Sequence, residues 1–297
     1  MTDTPNHRPR LVTVRRISTL TGVAALTAAS VIAATGAYAE GESDASGHAS
    51  SISAEAEGEA HGAPSTAASG EGNGEGEGGT SADPDVALLT GLAFMEGHVR
   101  AGLALYEAGD LAAAKTHMGH PIEEKYDAVE DALEDSGHGQ LEAQIAALAA
   151  ATEAGADLSE VQARFDEMRE TMEAVRAGYS ADKQVESLVA LTRIAGDEYG
   201  AAIRDDRSVT DLHEYQDSWG FLRVVEAEAM QMAESDDAAL AKVARTLLEQ
   251  VDATRAVYGD LQGEGSFETD SQVIHAAAAR MELAGLSLER AETTVED

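Results

Sequence analysis

Residues 85–297 are predicted to form an all-α fold, an antiparallel multi-helix bundle of seven to nine helices. The segment contains a single proline, Pro121, and it is rich in Ala, Leu and Glu, which have high helix propensity. Its apolar residues recur every three or four positions, and no alternating strand pattern occurs. Because the breaks between periodic segments are short, consecutive helices are expected to be antiparallel neighbours.

Two apolar stripes mark individual helices most clearly, and each is expected to face the core. The stripes are Leu158, Val161, Phe165, Met168, Met172 and Val175, and Leu240, Val243, Leu247, Val251, Thr254 and Val257. Helix ends are predicted where glycines, capping residues and acidic pairs cluster. These breaks fall at 108–110, 119–121, 136–139, 155–157, 178–180, 205–208, 235–237 and 259–266.

Two segments precede the predicted bundle. Residues 1–39 combine four arginines, an apolar stretch and a small-x-small site ending at Ala39, which is typical of a secretory signal peptide. A periplasmic or secreted protein is therefore expected, with retention of this segment as an anchor as the alternative. Residues 40–84 contain no Lys, Arg or aromatic residue and are rich in Gly, Ser and Glu, so a disordered acidic linker is predicted.

Charge and cysteine content exclude several function classes. The chain carries 20 Lys and Arg against 55 Asp and Glu, and its formal net charge of −35 disfavours nucleic acid as a partner. It has no Cys, which removes disulfides, zinc-thiolate sites and iron–sulfur clusters. A metal ion would have to be held by His, Asp, Glu or Tyr side chains.

The first candidate site lies on a predicted helical hairpin. If Gly109 forms the turn, His98 lies 11 residues before it and His120 lies 11 residues after it, so both imidazoles reach a similar height. His117 shares a helix face with His120 if the helix extends that far, and Glu124 belongs to the next helix. Three imidazoles and a carboxylate suit iron, copper, zinc or manganese.

The same hairpin has a second interpretation that involves no metal. The Ala- and Gly-rich run between Leu103 and Ala114 resembles the helix pair of a tetratricopeptide repeat, in which small residues mark close packing. A non-catalytic protein-interaction module is therefore the alternative function.

A second hairpin carries a carboxylate and phenol cluster. Glu198 and Tyr199 lie about as far before the polar turn near 206 as Glu214 and Tyr215 lie after it, so the pairs should face each other. Asp217 is three residues after Glu214 and shares its helix face. Oxygen-rich clusters favour hard ions, including ferric iron. The alternative is that these residues cap and solvate a helix hairpin.

Catalytic signatures are missing from the sequence. His213-Glu214 begins like a zincin motif, but the position four after His213 is Asp217 rather than a second His. No Glu stands three residues before a His, and no P-loop, dinucleotide fingerprint or nucleophile elbow occurs. The protein is therefore not expected to be an enzyme.

The two hairpins also carry a family resemblance. The run from Glu198 to Ile203 and the run from Glu214 to Phe221 resemble the helical extracytoplasmic domain that accompanies some bacterial high-affinity iron permeases. The pattern Gly97-His98, His117, His120-Pro121 and Glu124 resembles a segment that travels with that domain. These two matches cover about 60 to 70 residues of the chain.

The resemblance implies a role in iron uptake or storage, and a membrane iron permease or another envelope protein as partner. No stretch after residue 39 is long and apolar enough to span a membrane, so the permease would be a separate chain. Iron is the expected ion, with copper, zinc or haem as alternatives. The candidate ligands are His98, His117, His120, Glu124, Glu198, Tyr199, Glu214, Tyr215 and Asp217.

Overall fold

The computed structural model describes residues 81–121, 125–204 and 207–293. The predicted signal peptide and nearly all of the predicted linker lie outside these residues. Nine α-helices make up the described part of the chain, which confirms the predicted all-α class and helix number. They are α1 Pro84–Ala108, α2 Leu111–Pro121, α3 Asp127–Asp135, α4 Gln140–Glu153, α5 Leu158–Arg176, α6 Ala181–Ala202, α7 Leu212–Ala233, α8 Ala238–Thr254 and α9 Gln272–Thr293.

Local chemistry accounts for the helix ends that position the candidate site. The Asp83 carboxylate accepts hydrogen bonds from the first backbone N–H groups of α1, and Pro84 occupies the first helical position. Helix α1 ends at Gly109, whose φ of 85° is the left-handed conformation that glycine tolerates best. The Asp211 carboxylate caps α7 by accepting from His213 N and Glu214 N. These caps fix where each helix presents its polar side chains.

The break predicted at 119–121 does not interrupt α2 within the described residues. The glycine and proline of this break suggested that the helix stops near Gly119, but α2 continues through Gly119 and His120 to Pro121, the last described residue before position 125. As a result His117 and His120 lie on one helix.

Helix α1 is the central element of the described bundle. It packs against α2, α3, α5, α6 and α7, and residues all around its circumference are buried. Leu92 and Met95 contribute to an apolar cluster shared with α2–α5, whereas Phe94 joins a second apolar cluster formed by α6–α9. Within the described residues, no helix is long and apolar enough to cross a membrane.

Both predicted stripes belong largely to these cores. Phe165, Met168 and Met172 of α5 are buried, as are Leu247 and Val251 of α8. The exception is the first residue of α5, Leu158, which remains 40% exposed at the helix terminus. The stripe methionines fill apolar core space.

Helices α1 and α7 cross at two glycines. A Cβ atom on Gly220 would collide with the carbonyl oxygen of Gly97, and a Cβ atom on Gly97 would collide with the ring of Phe221. The backbones therefore approach more closely than side chains would allow. This contact sets the register of α1 against α7, and the next residue along α1 is His98.

A candidate metal site between three helices

Four buried or partly buried side chains from three helices converge beside this crossing. His98 comes from α1, His117 from α2, and His213 and Asp217 from α7. Each offers one potential ligand atom, and these atoms all lie within 4.8 Å of one another. We call this group the His3Asp cluster.

The α1–α2 hairpin supplies two of the imidazoles. Its turn at Gly109 and the close packing of α2 against Gly102 bring the ring centroids of His98 and His117 to 6.4 Å. The centroid of the His120 ring is also 6.4 Å from that of His98. The hairpin symmetry seen in the sequence thus brings all three rings to one end of the pair, although His120 is outside the His3Asp cluster.

Helix α7 supplies the other two members. The Asp211 cap places His213 in the first turn, and Asp217 follows on the same face, with His213 Nε2 3.1 Å from Asp217 Oδ2. The His213 ring stacks on His117 at a centroid distance of 4.4 Å and meets His120 edge-on at 4.6 Å. His213 therefore lies between the two imidazoles of α2 and the carboxylate of α7.

The carboxylate of Asp217 is the centre of the cluster. Its Oδ1 atom lies 2.6 Å from His98 Nδ1 and 2.9 Å from His117 Nδ1, and the residue is 1% exposed. Burial alone would raise the pKa of Asp217, but the neighbouring imidazoles outweigh it and hold this pKa well below its usual range. Asp217 is therefore a permanent anion inside the bundle.

The anion raises the pKa of both His117 and His213, but their net pKa shifts have opposite directions. Burial tends to lower the pKa of His117, but the hydrogen bond to Asp217 and its charge raise it overall. The pKa of His213 falls to about 4 because burial and the repulsion of the other three histidines exceed the attraction of Asp217. At neutral pH His213 is a neutral imidazole, which is the form that binds metal ions.

The surroundings of the cluster are apolar on one side. The rings of Phe94 and Phe221 contact His98 edge-on, at centroid distances of 4.5 and 5.2 Å. Such an apolar wall restricts water and limits the rotation of the imidazole. Charged residues of the α6–α7 hairpin are also close to the cluster, since Glu214 interacts electrostatically with His117 and Glu198 with Asp217.

The predicted pairing of Glu198 with Glu214 is present in the structure. The two carboxyl groups share a hydrogen bond, and Glu198 is 4% exposed. Burial, this hydrogen bond and the negative charges of Glu214 and Asp217 raise the pKa of Glu198 well above its usual range. The pair thus holds a proton between its oxygens, and both residues lie outside the His3Asp cluster.

The two candidate tyrosines are placed elsewhere. Tyr199 and Tyr215 face each other at a centroid distance of 6.0 Å, as the hairpin symmetry predicted, but both rings belong to the α6–α9 core. The Tyr199 hydroxyl donates to the carbonyl of Val257, and the Tyr215 hydroxyl accepts from Gly259 N at 2.7 Å. The structure therefore gives both phenols a role in holding a loop and does not bring them into the His3Asp cluster.

His213 is the member of the cluster that sequence reasoning did not include, and Glu124 lies outside the described residues. A usable signal for His213 was present, because His213 and Asp217 are four residues apart and share a helix face. Comparison of the chain with protein-family models, curated proteins and solved structures finds no match.

Proposed function

We propose that the protein binds one divalent first-row transition-metal ion at the His3Asp cluster. The observation that carries this proposal is the convergence of three imidazoles and one ionised carboxylate from three different helices. Neutral imidazole nitrogen together with carboxylate oxygen is a donor set that iron, zinc, copper and manganese accept. A bound metal ion would lie between the Asp217 carboxylate and the imidazole nitrogens that now face it.

The distances support a compact coordination shell. Metal–nitrogen and metal–oxygen bonds of about 2.0–2.2 Å place neighbouring ligands of a four-coordinate ion roughly 3.3–3.6 Å apart. The potential ligand atoms of the cluster lie within 4.8 Å of one another, so small side-chain rotations close the remaining gap. A cation there would also offset the buried charge of Asp217.

We further propose that the ion is iron and that the protein serves iron uptake or storage outside the cytoplasm. The basis is the resemblance of its two hairpins to the domain associated with iron permeases and the signal-peptide pattern of residues 1–39. Because both candidate phenols are engaged by the loop, the nitrogen-rich cluster favours Fe2+ over Fe3+.

The test is metal retention by the purified chain after desalting at high ionic strength. Salt removes ions that bind an acidic surface nonspecifically. The wild-type protein should retain about one equivalent of a single transition metal, as expected for a site of this ligand number. Asp217→Asn and His213→Ala should retain none.

The matched control is His275→Ala. His275 also faces an aspartate, with its Nε2 3.7 Å from Asp197 Oδ1, but it lies on α9 and is 34% exposed. This variant should keep the metal. Retention of equal metal by all four proteins, or by none, contradicts the proposed site. Absence of metal from all four proteins would favour the alternative function, a docking module for a partner protein. The apolar groove of about 380 Å3 beside Leu88, Phe94 and Val129 would then be the docking surface.

A further inference from the structure

The residue before Asp217 contacts the cluster from the opposite side of an imidazole. Gln216 is 2% exposed, and its Oε1 atom lies 2.8 Å from His117 Nε2. Its amide nitrogen donates to the carbonyl oxygen of Leu261 at 2.7 Å. Gln216 thus connects His117 to the chain segment that follows α8.

These two contacts determine the hydrogen positions on His117. A backbone carbonyl only accepts, so the amide nitrogen of Gln216 must point toward Leu261 and its oxygen toward His117. That oxygen also only accepts, so His117 Nε2 must carry a hydrogen. His117 Nδ1 lies 2.9 Å from Asp217 Oδ1 and donates its own hydrogen to that carboxylate, so Nδ1 is the nitrogen whose proton a metal ion would replace.

We propose that Gln216 is a positioning residue of the metal site, which keeps a hydrogen on His117 Nε2 and so makes Nδ1 the nitrogen that binds the metal. This inference rests on the proposed metal-binding function. Histidines that bind metals usually donate their other ring N–H to a nearby acceptor, which orients the ring and increases its basicity. Gln216 supplies that acceptor, and the Leu261 carbonyl fixes its orientation.

The segment that carries Leu261 is itself attached to α7. Gly259 N donates to the Tyr215 hydroxyl at 2.7 Å. The Ser218 hydroxyl donates to the carbonyl of Ala195, so the Tyr258 hydroxyl, 2.5 Å from Ser218 Oγ, is the donor of that pair. This segment is therefore held by three α7 residues that flank Asp217, namely Tyr215, Gln216 and Ser218. Its position controls the orientation of the Gln216 side chain.

The test compares Gln216→Leu with Gln216→Glu in the full chain, using Zn2+ competition against a chromophoric chelator. Gln216→Leu removes the acceptor and should weaken binding about 10- to 100-fold. Gln216→Glu keeps an acceptor for His117 but cannot donate to the Leu261 carbonyl, so it should bind Zn2+ more weakly than wild type and more tightly than Gln216→Leu. If Gln216→Leu does not fold, Gln216→Ala also removes the acceptor, and wild-type affinity in Gln216→Ala overturns the inference.

The matched control is Gln184→Leu. Gln184 Nε2 also donates to backbone carbonyls, those of Arg176 and Tyr179, but it lies at the start of α6 away from the cluster. This variant should lose stability and keep its Zn2+ affinity. Equal affinity in wild type, Gln184→Leu and a folded Gln216→Leu contradicts the role of Gln216.

A second readout does not require metal. Nitrogen-15 NMR of the imidazoles distinguishes the two neutral tautomers, and His117 in the metal-free wild type should show hydrogen on Nε2. Gln216→Leu should shift His117 toward a mixture or toward the Nδ1–H form. A wild-type protein that carries hydrogen on His117 Nε2 but binds no Zn2+ would disprove the metal-binding function alone, whereas a wild-type His117 without hydrogen on Nε2 would disprove the role of Gln216.

Discussion

Two buried charged clusters lie along the contact between α1 and α7, and they differ in the cations that they contain. In the His3Asp cluster, imidazoles surround Asp217. In the second, the guanidinium of Arg176 lies 2.5 Å from Glu96 and 2.9 Å from Glu228, while Arg100 lies 2.7 Å from Glu96. We call this second group the Arg–Glu network.

The comparison separates a structural role from a binding role. Arginine keeps its charge at any relevant pH, so the Arg–Glu network neutralises itself permanently. Burial would raise the pKa of Glu96, but Arg176 and Arg100 lower it below its usual range. Imidazoles can lose their protons, and a metal ion can replace those protons. Two charged clusters with similar burial along the contact of α1 and α7 therefore support two different functions.

Removal of the Arg–Glu network should cause the largest decrease in the free energy of unfolding. Arg176→Ala leaves Glu96, with no exposed surface, and Glu228, with 5%, buried without their shared partner. Removing one side of a buried ion pair costs about 3–5 kcal/mol of unfolding free energy. Urea denaturation measures this cost. The fraction that remains folded should retain wild-type metal content, and parallel loss of metal would show that the two clusters are not independent.

Metal loading should produce the next largest effect. An ion that binds the folded state alone stabilises it by about 2.7 kcal/mol at a concentration 100 times its dissociation constant. Wild type and His275→Ala should both gain this stability with Zn2+ in thermal or urea unfolding. Asp217→Asn should gain little. An equal gain in Asp217→Asn would place the stabilising ion outside the His3Asp cluster.

Adding one methyl group at Gly220 should disturb the crossing of α1 and α7. Gly220→Ala forces a Cβ atom against the carbonyl of Gly97, which costs about 1–3 kcal/mol and shifts His98 relative to Asp217. Both stability and Zn2+ affinity should fall. The control is Gly119→Ala in α2, where the added Cβ meets no atom within 4 Å. It should gain roughly 0.5–1 kcal/mol from helix propensity.

The smallest effect is a pH dependence from Glu198. Its pKa is raised in the folded protein relative to the ordinary value of 4.5, so the folded state binds the proton more tightly. Its stabilising contribution is complete below about pH 4.5 and declines as the pH rises toward the raised pKa. Glu198→Gln, which mimics the protonated acid, should stabilise the metal-free protein at about pH 8 and have little effect at about pH 4. Urea unfolding at both pH values measures this difference, and equal effects at the two would contradict it.

Much of the first hairpin was accessible from the sequence because its geometry is local. A glycine turn with histidines placed symmetrically around it predicts their convergence once the helices are antiparallel, and His98, His117 and His120 do converge. The same argument correctly paired Tyr199 with Tyr215. It did not show that their hydroxyl groups bind a loop, because Val257 and Gly259 are distant in the chain.

The sequence by itself determined the helical class, the hairpin turns and the restriction of any metal site to His, Asp, Glu or Tyr ligands. Composition, periodicity and the absence of cysteine are properties of short stretches or of the whole chain. Only the tertiary structure selected His213 and Asp217 as the partners of His98 and His117. His117 and Asp217 are 100 residues apart, and their contact depends on the close packing of α7 against α1 at Gly97 and Gly220. No periodic pattern in the sequence encodes a contact between two helices so far apart in the chain.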